Sequence, residues 1–247
     1  MSVAAIIVAG GAGTRMRAPI NKVFIEVDGR SILEHSLDLF ESTPLVDLVV
    51  LVTRREDVAR CEPLRERFGK LRMVVAGGDV RHRSEFAGLR SLAAQIDAGA
   101  VDTILVHDAV RPFASRALVE RLIDGVAEAI GCIPGRPVGR STALVTDGWI
   151  AGYPPNLWTV QTPQAFQATW LLEAHNKAAR QGFLGTDTAS VVEWAGGGDV
   201  SVIEGEPDNI KITTPEDLVR AEAIARRLAM ESGGSPGEAP GDPRQKR

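Results

Sequence analysis

Residues 4–22 read AAIIVAGGAGTRMRAPINK, a stretch that joins an apolar run, three glycines and the cations Arg15 and Lys22. The run over residues 3–9 is too short for an ordinary helix and rich in branched side chains, so it reads as a buried strand. Gly10, Gly11 and Gly13 follow it. Glycine loops bring bare N–H groups close to an anion, which is how a loop cradles phosphates, and Arg15 and Lys22 add full positive charge. A dinucleotide-binding fingerprint starting at Gly11 needs a third glycine where Met16 stands, and a P-loop needs Gly-Lys-Ser/Thr. Neither pattern fits.

Working outward, apolar and amphipathic segments alternate. Expected strands cover residues 23–27, 46–52, 72–76, 103–107, 131–134, 200–204 and 209–213. Expected helices cover 32–40, opened by a Ser31/Glu34 capping box, then 56–68, 84–95, 115–129, 168–180 and 191–194. Thr214 caps a last helix that carries Pro215 in its first turn and runs to about Met230. Strand–helix alternation predicts an α/β fold with a mostly parallel sheet covered by helices on both faces, whose ligands bind beyond the carboxyl ends of the strands. Gly77-Gly78-Asp79 and His107-Asp108 follow strands just as the first glycine loop does, so one site can use all three. Periodicity fades over residues 135–158, which suggests an arm whose Trp149, Ile150, Tyr153, Leu157 and Trp158 need cover from a second subunit. Residues 232–247 lack core-forming side chains and read as a disordered tail after a single domain over 1–231.

The 247 residues carry a net charge of −4, which offers no general surface for nucleic acid. The two cysteines, Cys61 and Cys132, lack CxxC spacing, as suits a reducing cytoplasm. No apolar run approaches the length of a membrane span, and no His/Cys cluster has metal spacing.

Five motifs occur in order: GGAGTRM, GGDVRHRS (residues 77–84), HDAVRP (107–112), QTPQ (161–164) and NIKIT (209–213). Together they resemble the methylerythritol-phosphate cytidylyltransferase family, with the ribitol-phosphate cytidylyltransferases as near relatives, over roughly residues 3–226. The resemblance implies a Rossmann-like nucleotidyltransferase (GT-A-like) fold with a protruding β-arm, acting as a homodimer on CTP and a sugar-alcohol phosphate with Mg²⁺ held mainly by the triphosphate oxygens. It assigns Arg15, Lys22 and Lys211 to catalysis, and Ala9, Gly10, Gly11, Gly13, Gly78, Asp79 and Ser84 to the nucleotide. Asp108, Ala109, Arg111, Thr162 and Thr186 fall to the acceptor. His107 reads as structural, because an anionic phosphate nucleophile needs no general base.

The arm departs from the family pattern. Where the family has Pro-Val-x-Asp-Thr, this chain has Pro137-Val138-Gly139-Arg140-Ser141-Thr142, and Tyr153-Pro154-Pro155-Asn156 stands where an arginine is expected. Arg140, or Arg136, is then the substitute grip on the acceptor phosphate. Methylerythritol phosphate is the first acceptor, with ribitol phosphate or another alditol phosphate as the alternative. Two other classes remain: a nucleotide-binding subunit without catalysis, and a GTP- or ATP-dependent sugar or cofactor nucleotidyltransferase.

Overall fold

The structure is a computed structural model that describes residues 2–11, 20–139, 141–196 and 198–232. In chain order its strands are β1 (Val3–Val8), β2 (Glu26–Val27), β3 (Arg30–Ser31), β4 (Leu48–Thr53), β5 (Leu71–Ala76), β6 (Thr103–Asp108), β7 (Gly131–Pro137), β8 (Leu144–Thr146), β9 (Trp149–Gly152), β10 (Trp158–Val160), β11 (Gln164–Gln167) and β12 (Val200–Glu204). The helices are α1 (Ile32–Ser42), α2 (Val58–Cys61), α3 (Leu64–Arg67), α4 (Arg81–Ser91), α5 (Ala93–Asp97), α6 (Arg116–Gly125), α7 (Ala168–Gln181), α8 (Thr188–Ala195) and α9 (Pro215–Ser232).

The main sheet runs β10-β7-β11-β6-β1-β4-β5, with β12 on the other side of β7. β5, β4, β1 and β6 are parallel neighbours, and β7 carries β12 parallel to itself. The reversed strands β10 and β11 both pair antiparallel to β7, one at each end of it. Strand order turns round at β1, which is joined to β4 on one side and β6 on the other. In open α/β sheets the crevice beyond such a turning point takes the ligand.

Strand alternation decides which helices go where. Ala5, Ile7, Val49, Leu51 and Leu105 face a core completed by α1, α6 and α9, whereas Ala4, Ile6, Val50, Val52, Ile104 and Val106 face one completed by α4, α5, α7 and α8. Each fully buried Ile or Leu contributes about 1.5–3 kcal/mol, so the period-two pattern fixes the register of the sheet. The capping box of α1 forms as expected: the Ser31 hydroxyl accepts from the Glu34 N–H at 3.2 Å, and Glu34 accepts from the Ser31 N–H at 3.0 Å. Gly88 lets α4 press on the sheet, because a Cβ there would sit 2.6 Å from Ile6 Cγ2. That contact brings the first turn of α4 to the ends of β1 and β4.

Four expected elements change. Residues 56–68 form a 3₁₀ turn (Arg55–Asp57) and the short helices α2 and α3 instead of one helix, since Pro63 has no N–H to continue the ladder. The expected strand at 23–27 is a 3₁₀ turn, Lys22–Phe24, followed by the two residues of β2, because the Asn21 side chain caps the turn by accepting from the Val23 N–H. The helix expected from Ser84 begins three residues earlier, at Arg81, and breaks at Leu92 before α5. Residues 209–213 are not a strand. Ile212 donates its N–H to the Val110 carbonyl, but the Asn209 carbonyl is taken by the side chains of Arg111 and Gln161.

The arm leaves β7 after Pro137 and returns at β10, with the Val138 N–H donating to the Leu157 carbonyl at its base. Beyond that point β8 and β9 form a separate two-stranded hairpin. Asp147 and Gly148, both with positive φ, make its turn, as an Asp-Gly pair does in a type I′ hairpin. Leu144, Val145, Trp149 and Ile150 are exposed, Trp149 at 80%.

Candidate active site

A cleft of about 500 Å³ lies beyond the carboxyl ends of β1, β4, β5 and β6. Its walls include Ala9, Gly10, Gly11, Lys22, Gly78, Asp79, Ser84, Asp108 and Lys211, so nine of the residues singled out from the sequence meet there. Arg54, Arg55 and Arg81 join them, and the only wall carboxylates among the described residues are Glu56, Asp79 and Asp108. Cations outnumber carboxylates, as polyphosphate binding requires. Gly13, Arg15 and Arg140 lie outside the described residues.

On the nucleotide side, Ser84 ties two loops together. Its hydroxyl accepts from the Gly78 N–H at 3.2 Å, and a Cβ on Gly10 would come within 3.2 Å of the same oxygen. A Cβ on Gly78 would lie 2.4 Å from Arg83 Cβ, so only glycine leaves this turn against α4. Asp79 is exposed and pairs with Arg83 at 2.6 Å, which lowers its pKa. Lys22 is buried and donates to the Ile212 carbonyl at 3.1 Å. Asn21 sets that turn in place by donating to the Ala9 carbonyl at 3.1 Å and to Asp57 at 3.0 Å.

On the other side, Asp108 ends β6 as a buried carboxylate between two cations. Arg81 Nε lies 2.8 Å from Oδ1 and Lys211 Nζ 2.7 Å from Oδ2. Burial alone would raise the Asp108 pKa, but Arg81 and Lys211 overcome it and hold the carboxyl well below the usual carboxylate range. Arg111 is 4.0 Å from the same carboxylate. Its remaining donors clamp backbone, to the Asn209 carbonyl at 2.9 Å and the Val160 carbonyl at 3.3 Å.

QTPQ and NIKIT interlock. Gln161 donates to the Glu206 and Asn209 carbonyls at 2.8 and 3.2 Å, and Asn209 donates to the Thr162 carbonyl at 2.9 Å. Thr162 is buried, and its hydroxyl accepts from the Asp108 N–H at 3.0 Å. His107 Nε2 meets the Arg111 carbonyl at 3.1 Å and so carries the proton, which leaves Nδ1 to accept from the Thr162 hydroxyl at 3.2 Å. Burial pushes the His107 pKa down to about 4, so the ring is neutral and structural. Thr162 therefore orients the Asp108 backbone.

Ala109 is fully buried, with its N–H given to the Val8 carbonyl and its carbonyl taken by Ser36, so it supports the cleft from behind. Thr186 is exposed in the loop before α8, 3.4 Å from the Ser190 hydroxyl, and is not on the cleft wall. Arg81 is the residue that the motif reading passed over. Its i,i+4 spacing to Glu85 was the available signal, since it places both on one face of a helix.

Comparisons with known proteins agree with this geometry. A family model described as IspD, 2-C-methyl-D-erythritol 4-phosphate cytidylyltransferase, matches residues 3–227. The chain is 41% identical over 236 residues to the protein of that name from Geotalea uraniireducens, covering 94% of this chain and 100% of the relative. It is 41% identical over 228 residues to the one from Bacillus licheniformis, covering 91% and 96%. Among solved structures, the 4-diphosphocytidyl-2C-methyl-D-erythritol synthase of Anaerococcus prevotii superposes with a TM-score of 0.80 at 32% identity, covering 92% of this chain and 96% of that one. Glycines that follow β1, a buried lysine on the same cleft wall and a second lysine on the carboxylate that ends β6 thus sit in a fold and a sequence pattern that one group of enzymes shares, and the chain belongs to the 2-C-methyl-D-erythritol 4-phosphate cytidylyltransferase (IspD) family.

Proposed function

We propose that the protein transfers the cytidylyl group of CTP to 2-C-methyl-D-erythritol 4-phosphate, giving CDP-methylerythritol and pyrophosphate for isoprenoid precursor synthesis. The observation that carries this reading is that buried Lys22 and Lys211, the latter paired with Asp108, line the same cleft as Gly10 and Gly11. An acceptor phosphate oxygen attacks the α-phosphorus as the bond to the β-phosphate oxygen breaks, and catalysis is positioning plus neutralisation of spread charge. Lys22 faces the triphosphate and Arg15 completes that side. Asp108 accepts alcohol hydroxyls while Lys211 meets the acceptor phosphate, with Thr186 and Arg140 as further contacts. Neutral His107 takes no proton.

Magnesium would supply further neutralisation of the triphosphate. Among the described residues no group of three or more His, Cys, Asp or Glu side chains could hold a metal ion, so the donor set we assign is the nucleotide's own oxygens. The test is pyrophosphate release across CTP, UTP, GTP and ATP with methylerythritol 4-phosphate and ribitol 5-phosphate. The expected result is turnover with CTP and methylerythritol 4-phosphate that EDTA abolishes. Turnover with ribitol 5-phosphate alone would reassign the acceptor, and activity persisting in excess chelator would remove the metal.

We further propose that the arm pairs two copies of the chain in the cytoplasm, because its exposed Trp149 and Ile150 are apolar surface that a partner subunit would cover. Sedimentation at micromolar concentration should show a dimer, and deletion of residues 141–154 should give monomers. A monomeric intact protein would rule the pairing out. Cys61 and Cys132 are buried free thiols, as suits a reducing compartment.

A further inference from the structure

Behind the acceptor side lies a carboxylate that the reaction above does not use. Glu85, on α4, is fully buried, a costly place for a charge without partners. One of its oxygens, Oε1, pairs with Arg81 Nη1 and accepts from the Thr188 hydroxyl at 2.8 Å. The other, Oε2, makes no hydrogen bond and faces His175 Nε2 at 3.7 Å. His175, on α7, stacks on His82 of α4 with ring centroids 4.7 Å apart.

Arg81 thus has one hand on Glu85 and the other on Asp108. Thr188 opens α8, directly after the loop that carries Thr186, and Asp187 caps that helix by accepting from the Ser190 N–H at 3.0 Å. A continuous chain of contacts therefore runs from the 185–187 loop through Thr188, Glu85 and Arg81 to Asp108.

We propose that Glu85 is a positioning residue for the acceptor half of the site: when ionised it fixes Arg81, and through it the Asp108 carboxylate, while Thr188 ties the 185–187 loop to the same anchor. The groups around it are Arg81 from α4, His175 from α7 with His82 stacked on its ring, Asp187 and Thr188 at the start of α8, and Asp108 from β6. His175 does not compete for the charge, because burial pushes its pKa down to about 3. Burial raises the Glu85 pKa to about 7, against the opposing pull of Arg81 and Thr188. Glu85 is therefore mostly ionised at pH 8 and mostly protonated at pH 6. Protonation gives up the Arg81 pairing, so acceptor binding weakens as pH falls through 7.

The inference rests on the acceptor role proposed for Asp108, and the test separates the two. Steady-state kinetics of Glu85→Gln should show the acceptor KM raised about 10-fold at pH 8, with kcat and the CTP KM nearly unchanged, as loosened support for one subsite predicts. The acceptor KM of the unaltered enzyme should rise between pH 8 and pH 6 by about 5-fold more than that of Glu85→Gln, because a group titrating near 7 goes from about 90% to about 10% ionised over that span. The acceptor phosphate's own titration is common to both enzymes and cancels. Thr188→Val, which removes a donor without adding volume, should move the acceptor KM in the same direction and serves as the test if Glu85→Gln fails to fold. An unchanged acceptor KM and pH ratio in the folded variant would overturn the inference. So would a parallel fall in kcat and rise in both KM values. If Asp108→Asn leaves the acceptor KM unmoved, the acceptor assignment itself falls; if Asp108→Asn moves it and Glu85→Gln does not, only the positioning role falls.

Discussion

Lys22→Ala is expected to lower kcat roughly 10²–10³-fold, the loss typical when one donor to a charge-developing transition state is removed. The ammonium sits at the cleft but is largely hidden from solvent, on a 3₁₀ turn that Asn21 holds to the Ala9 carbonyl. A cation in such a place interacts with developing negative charge through little water, so it is worth far more than a surface lysine. Because its work falls at the moment the α–β bond breaks, the CTP KM should move much less than kcat. Lys22→Arg should not restore the rate, since a planar guanidinium cannot occupy the seat of an ammonium that already donates to the Ile212 carbonyl. Single-turnover measurement of cytidylyl transfer gives the answer. An alanine variant within tenfold of the unaltered kcat would take Lys22 out of the chemistry.

Asp108→Ala is the second large effect, and it is expected to show in stability as well as in activity. The substitution leaves Arg81 and Lys211, 2.8 and 2.7 Å from the lost carboxylate, facing each other without an anion between them. Removing one partner of a buried ion pair costs about 3–5 kcal/mol, and Lys211, which is partly exposed, will recover some of that by turning to solvent. Urea unfolding should therefore show a loss of about 3 kcal/mol. The acceptor kcat/KM should fall by roughly two orders of magnitude, as charged hydrogen bonds to the alcohol vanish and Lys211 loses its anchor. Asp108→Asn keeps the shape and separates the two effects. Stability near that of the unaltered protein for Asp108→Ala would contradict the ion-pair account.

The parts of this molecule that sequence revealed best are the ones written in apolar periodicity. β1 and β12 match their expected spans to within a residue, and the Ser31/Glu34 box forms as read, because such signals are local and the core enforces them. The three strand-end loops were also legible, since glycine and charge right after an apolar run leave few alternatives. Arg81 was not. Val80, at the N-cap of α4, offers no side-chain cap, so the only local hint that the helix starts at Arg81 is the i,i+4 spacing to Glu85, and nothing local places Arg81 over Asp108. Residues 209–213 alternate like a strand, yet the Asn209 carbonyl goes to the side chains of Gln161 and Arg111 from distant turns instead of to a neighbouring strand. Arg111 itself reads as a phosphate grip by residue type. Only the three-dimensional arrangement shows two of its donors committed to carbonyls.

The bond from Lys22 to the Ile212 carbonyl joins residues 190 positions apart. During synthesis the glycine loop, β1 and the lysine emerge first, while Lys211 and the backbone that supports the Lys22 ammonium come near the end. A ribosome-bound chain halted before Gln161 meets Glu206 and Asn209 holds every cleft-wall residue but Lys211, yet lacks the Ile212 carbonyl that seats the Lys22 ammonium. Catalytic competence of nascent chains should thus appear late, once the segment around residue 212 has cleared the exit tunnel, because only then does the Lys22 ammonium find its seat and Lys211 reach Asp108.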